Sequence, residues 1–164
     1  PPMQLDLYKD LPFTDLDRTG DLTVVHQQVR FGQQVDSAKR MIWGLLLQTL
    51  SKNNSRVDTT SLYKELELET MKCFNARFKI KPHLTRSLKH IQKNWRKWVS
   101  SAILALLHLH RGKHYTVSKD PQKRLIQVID QTNLLPKEGS VFAREVHCFL
   151  ELKEGVRMSP ELLP

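Results

Sequence analysis

The residues with the most chemistry to offer are histidines and a cysteine. His108, His110 and His114 cluster within seven positions, and His147 stands beside Cys148. Imidazole and thiolate are the usual zinc ligands, so a metal centre is the first possibility to weigh. On a helix, residues two apart do not share a face, so His108 and His110 cannot both address one ion without distortion. Adjacent helical residues also diverge, which separates Cys148 from the imidazole that would activate it and leaves it a buried structural residue. The expectation is that no metal is held and that the histidines are surface or helix-end residues.

Other catalytic patterns are missing from the sequence. Neither GxxxxGK(S/T) nor GxGxxG occurs, so the backbone cradle for phosphate is absent, and Gly139 followed by Ser140 does not supply one. There is no GxSxG elbow and no HExxH pair, and the acids are scattered. No residue is assigned to catalysis, and no cofactor is expected in this chain. Cys73 and Cys148 lie 75 positions apart without a CxxC partner, which points to a reducing compartment rather than a disulfide framework.

Charge is more informative. The 26 Lys and Arg against 17 Asp and Glu give a net +9, unevenly spread. Lys72 to Arg124 holds fourteen basic residues and one acid, Asp120, leaving 12 basic and 16 acidic residues elsewhere, a net −4. After Pro82, at 100° per residue, Leu84, Leu88, Ile91, Trp95, Val99, Ala102 and Leu106 fall on one arc. Arg86, Lys89, His90, Lys93, Arg96 and Lys97 fall on the opposite one. This basic arc reads as a solvated face, as a contact for an acidic partner or anionic membrane surface, or as a nucleic-acid interface. Trp95 belongs to the core side rather than to a base-stacking platform, with Trp98 nearer the boundary.

The elements that position these residues follow from periodicity. Val25, Val29, Val35, Ala38, Met41, Ile42, Leu45, Leu46 and Leu50 recur at helical spacing, interrupted by Gly32, as one long or two short helices. Asp58, Thr59 and Ser61 are N-cap candidates for a helix carrying Leu62, Leu66, Met71 and Phe74. Pro82 suits the first turn of the amphipathic helix, and Gly112 stops it. Tyr115–Ser118 and Leu125–Asp130 read as an antiparallel pair turned by Lys119, Asp120 and Pro121, the second run the more buried. Val141, Phe142, Val146, Phe149, Leu150 and Leu152 indicate a last helix ending at Gly155. Trp98 to Leu109, the longest apolar-rich stretch, is too short for a membrane span of ~20 residues.

The expected fold is α+β: mainly helical, with a small antiparallel two-stranded element and a C-terminal helix. The expected division is an opening segment or linker over 1–22, a helical region over 23–82, a third region over 83–159 and a tail over 160–164. Lacking an initiator Met and a signal peptide, the chain reads as a cytoplasmic piece of a larger protein, with peripheral membrane contact as an option.

The stretch VIDQTNLLPKEGSVFAREVHCFLELKEGV, residues 128–156, resembles SecA-type translocase ATPases where the chain leaves the preprotein-crosslinking insertion and re-enters the first nucleotide-binding domain. There the family shows a strand ending Val-Asp-Glu, a Thr-Gly-Arg turn, a Gly-Arg-Arg-Trp-Ser-Asp-Gly-Leu-His-Gln stretch and then Glu-Ala-Lys-Glu-Gly. Asp130 takes the strand-end acid, Gly139 the loop glycine and Phe142 the aromatic position, while His147, Glu151, Lys153, Glu154 and Gly155 match in kind. Asn133, Leu134 and Leu135 stand in place of Thr-Gly-Arg. Including Ala102 to His108 and His114 to Val117, the likeness covers about 83–159, and is nearest to SecA-like proteins of some eukaryotes.

The resemblance implies polypeptide binding or interdomain scaffolding within a translocation ATPase, with ATP and Mg²⁺ belonging to the full-length family rather than to this chain. Its implied partners are extended or unfolded polypeptide and the motor domain of the same chain. Strand edges capture extended segments by main-chain hydrogen bonds with little sequence selectivity. Tyr115, Val117, Leu125 and Gln127 are the candidates for that contact.

Overall fold

The computed structural model describes residues 24–53, 58–77, 86–120, 122 and 125–162. The expected opening segment over 1–22, the proline at 82, Leu84 and Pro121 lie outside the described residues. Among the described residues the chain is mainly helical with one antiparallel strand pair. It divides into two compact units: one holds the described residues up to Val99 and those from Pro160 onward, the other is Ser100–Ser159.

In the first unit, α1 runs unbroken from Val24 to Lys52. Gly32 does not divide it. The buried stripe follows Phe31, Val35, Ala38, Ile42, Leu45 and Leu46. Val25 and Val29, although part of the apolar series, are exposed, because both lie off the arc centred on Val35, Ala38 and Ile42. Helix α2, Thr59–Arg77, is started by Asp58, whose carboxylate accepts the Ser61 N–H at 2.9 Å and the Ser61 hydroxyl at 3.0 Å. This is an N-cap satisfying an orphan donor of the first turn, and that backbone bond is the main cause of the lowered pKa of Asp58. Leu62, Leu66, Thr70 and Phe74, four apart, form its buried row, whereas Met71 is exposed.

Helix α3, Arg86–Ile103, buries Leu88, Ile91, Trp95 and Val99 as its periodicity requires, and Trp98 is fully buried rather than marginal. Edge-on ring contacts join the three helices: Phe74 to Trp95 at 5.8 Å and Phe31 to His90 at 5.2 Å between centroids. His90, counted with the basic arc, therefore turns toward α1. The segment from Pro160, expected as a tail, belongs to this unit through Glu161.

In the second unit α3 ends in a π-helical turn, Leu104–His108, in which the Leu109 N–H reaches back to the Leu104 carbonyl at 3.1 Å. The helix thus stops before Gly112. Strands β1, Tyr115–Val117, and β2, Ile126–Val128, pair antiparallel in the register Tyr115 to Val128, Thr116 to Gln127 and Val117 to Ile126. Each strand buries its first residue, and the run that contains β2 buries Ile129 as well. Helix α4, Arg144–Glu154, starts three residues after the Val141 expected to open it, which is exposed. It packs on the π-helical turn and on β2.

Candidate functional site

The signature residues of the SecA resemblance all lie within the second unit. Where the π-helical turn ends, the chain leaves in an extended conformation at Leu109, and the last carbonyls have no helical donor ahead of them. Lys153 supplies one. Its ammonium donates to the carbonyls of Ala105 at 3.0 Å, Leu106 at 3.3 Å and Leu109 at 2.6 Å. Partial burial pulls its pKa below the ordinary lysine range, against the opposing charge of Glu154.

Glu154, the next residue, accepts from Arg111 at 3.0 Å and from the hydroxyl of Tyr115. Tyr115 is fully buried, and burial first, then the Glu154 carboxylate, raises its phenol well above the usual range. It is a permanent donor. The ring of Phe142 meets that of Tyr115 edge-on at 6.5 Å. Gly155 closes α4 in the left-handed region, φ 68°, a conformation glycine takes without steric cost.

Glu151 ties the chain beyond α4 to the helix, its two oxygens accepting the Ser159 N–H and hydroxyl, each at 3.0 Å. His147 is buried, with Nε2 3.8 Å from Glu151. Asp130 caps the turn after β2 by accepting the Thr132 N–H at 2.8 Å, the leading cause of its lowered pKa. In that turn Leu134 has φ 62°, and Gly139 further on has φ 76°.

The strand pair offers fewer open main-chain groups than its sequence implies. Ser118 N–H bonds the Leu125 carbonyl at 2.7 Å and Ile129 N–H the His114 carbonyl at 3.0 Å. In an antiparallel ladder such bonds alternate, so Thr116 and Gln127 form the hydrogen-bonded pair between them. The main-chain groups of Leu125 and Gln127 therefore face β1 and offer no donor at an outer edge. Tyr115 faces outward, but its carbonyl is taken by Gly112 N–H at 2.7 Å, and the Val128 carbonyl by Lys137 N–H at 2.8 Å. Val117, half-buried, remains: among the described residues nothing bonds the N–H or carbonyl it directs away from β2.

In the first unit, Arg86, Lys89, Lys93 and Lys97 are all exposed, on a helix without a single Asp or Glu, and none meets an acid among the described residues. Arg96 differs: it lies over the Trp95 ring at 4.5 Å and reaches Glu67 at 3.4 Å. Sequence reasoning missed the node formed by Glu161, which receives Lys39 at 2.9 Å and His90 at 3.1 Å on its carboxylate and Gln28 on its carbonyl at 2.8 Å. A lysine among the apolar positions of α1 was the available signal.

His110 N–H donates to His114 Nδ1 at 2.9 Å, and burial first, then Lys113 and neighbouring cations, lower the His114 pKa. His108 is exposed, and Cys73 and Cys148 are not joined in a disulfide. Among the described residues no three His, Cys, Asp or Glu side chains are grouped to hold a metal, and no helix is long and apolar enough to cross a membrane. Comparisons with protein-family models, curated proteins and solved structures gave no match.

Proposed function

We propose that this chain is the polypeptide-handling and interdomain scaffolding part of a SecA-like, cytoplasmic protein-translocation ATPase. The observation that carries this reading is the use made of the Glu151–Gly155 run. The four residues matching the family pattern each secure a different segment: Glu151 the chain at Ser159, Lys153 the end of the π-helical turn, Glu154 the strand pair and Gly155 the helix end. The π-helical turn, the two-stranded stalk and the returning helix are thereby fixed to one another within the second unit, which a moving insertion on a motor requires. Leu134 adds support, since it stands where the family has a turn glycine and holds a conformation glycine favours.

Extended polypeptide is taken at the outer edge of β1, where Val117 offers a donor and an acceptor. ATP and Mg²⁺ belong to the motor domain of the resembled family, and no residue here is given a part in hydrolysis. The test is crosslinking of the chain to a permanently unfolded model protein. Val117→Pro, which removes the outward N–H, should abolish saturable capture, while Val117→Thr retains it. Undetectable capture by the wild type, or undiminished capture by folded Val117→Pro, would sink the reading.

The row Arg86, Lys89, Lys93 and Lys97, exposed and meeting no acid among the described residues, favours one alternative, a basic module on nucleic acid or an anionic membrane surface. Such binding would fall steeply with salt. Tight binding at physiological salt that is lost on charge reversal of these four would establish it instead.

A further inference from the structure

Between α2 and α3 in the first unit lies a groove of about 260 Å³ lined by Met71, Phe74, Leu88, Ile91 and Trp95, with Asn75, Gln92 and Arg96 at its margin. It is smaller than the roughly 300–1,000 Å³ clefts that enclose drug-sized ligands, and suits one large apolar side chain. Met71 is exposed at its mouth, while Phe74, Ile91 and Trp95 form buried walls. The cation at its margin, Arg96, comes from α3. Residues three and four apart on a helix are surface neighbours, so Gln92 and Arg96 at the margin have Lys89 and Lys93 beside them. Both lysines are exposed and meet no acid among the described residues. On the margin itself, Arg96 already holds one carboxylate, that of Glu67, while stacked on Trp95.

We propose that this groove is a docking site for an acidic peptide segment of a partner protein, with one apolar anchor seated between Met71 and Trp95 and carboxylates on Lys89 and Lys93. Charge complementarity selects the occupant. A basic segment would meet the lysines with like charge, and a nucleic acid would use the cations without needing an apolar slot. The site is separate from the β1 edge at Val117 and goes beyond the polypeptide capture proposed there.

The test is fluorescence anisotropy on the full chain, with a labelled peptide carrying one central tryptophan flanked by aspartates and glutamates. Met71→Glu, at an exposed position, should weaken binding about tenfold or more, since burial of an apolar anchor contributes a term of that order. Lys89→Glu with Lys93→Glu should weaken it further at low salt than at high salt, because exposed charges are screened. Replacing the tryptophan by serine should remove the same part of the binding that Met71→Glu removes. No saturable binding by the wild type, equal binding of a peptide with lysines in place of the acids, or indifference to Met71→Glu would overturn the proposal. Binding of an oligonucleotide that depends on Lys89 and Lys93 and displaces the peptide irrespective of Met71→Glu would overturn it in favour of nucleic acid.

Discussion

Glu161 and Lys39 are 122 residues apart in the chain, yet the lysine Nζ donates to the Glu161 Oε2 at 2.9 Å with almost no exposure of the lysine side chain. A buried ammonium needs such a partner, and the Trp98 ring also lies 5.2 Å from Nζ. Removing one member of a buried pair takes away charge that offsets the burial of the other. Glu161→Gln is therefore expected to destabilise the first unit by about 3 kcal/mol, and replacing both residues by apolar ones of similar size to recover most of that. Urea unfolding curves of the three proteins decide it. A loss confined to a few tenths of a kcal/mol would mean that the pair is open to water.

The same pair sets a pH dependence. Burial alone would raise the pKa of Glu161, but the charge and hydrogen bond of Lys39, with His90, outweigh it and hold the pKa below the ordinary 4.5. A carboxylate with a lower pKa folded than unfolded binds fewer protons when folded. Its stabilisation is complete above the unfolded value and is lost as pH falls through the folded one. The stability difference between wild type and Glu161→Gln should accordingly be constant above about pH 5 and close as the solution is acidified below 4.5. A difference that widens on acidification would contradict this.

Lys153 is expected to matter as a donor rather than as a charge. Lys153→Met keeps the stem and leaves the carbonyls of Ala105, Leu106 and Leu109 without their shared donor. A loss of about 2 kcal/mol is expected, the order of a charged hydrogen bond and its desolvated partners. Amide exchange should quicken at Leu109 and His110 more than in α4. Uniform quickening across the second unit would indicate lost packing instead.

How much of this was legible depends on whether a feature is local. The faces of α2 and α3 were readable because a 3.6-residue period alone decides which of Leu62, Leu66, Leu88 and Trp95 are buried. The early turns of α1 were not, since Val25 and Val29 continue a spacing whose arc they no longer share. The strand pair could be foreseen from β-rich runs, but not its hydrogen-bonding parity, which separates Val117 from Gln127 and is fixed by register. Lys39 among apolar positions signalled that α1 needs an acid, but not that Glu161 supplies it, because the worth of Glu161 arises from two helices far away in sequence. The signature run Lys153–Gly155 was visible as a likeness, while its work as donor, acceptor and helix stop is a matter of which chain ends meet there.

Leu134 should be improvable. A side chain in the left-handed region costs about 1–2 kcal/mol, and this residue, exposed, returns little by packing. Leu134→Gly is expected to stabilise the second unit by about 0.5–1 kcal/mol after the added freedom of the unfolded chain is subtracted. Leu134→Ala, which keeps the strain, should stay at or below wild type. Equal stability of the glycine and alanine variants in thermal melting would show that the turn conformation is not the controlling factor.

Prolines in the two strands should act unequally. Proline removes one main-chain donor, and the consequence depends on where that N–H points. Gln127 faces Thr116, so Gln127→Pro deletes a ladder bond and sets a ring against β1. The bonds at Ser118 and Ile129 that flank it would lose their register. A loss of about 3 kcal/mol is expected, with exchange protection falling at Ile129 and Ser118. Val117 faces outward, so Val117→Pro keeps every ladder bond and should cost less than Gln127→Pro, about 1 kcal/mol. Urea unfolding with amide exchange on both variants measures the difference. Equal losses, or a larger loss at Val117, would show that the alternation runs the other way, and with it the assignment of the open β1 edge would fall.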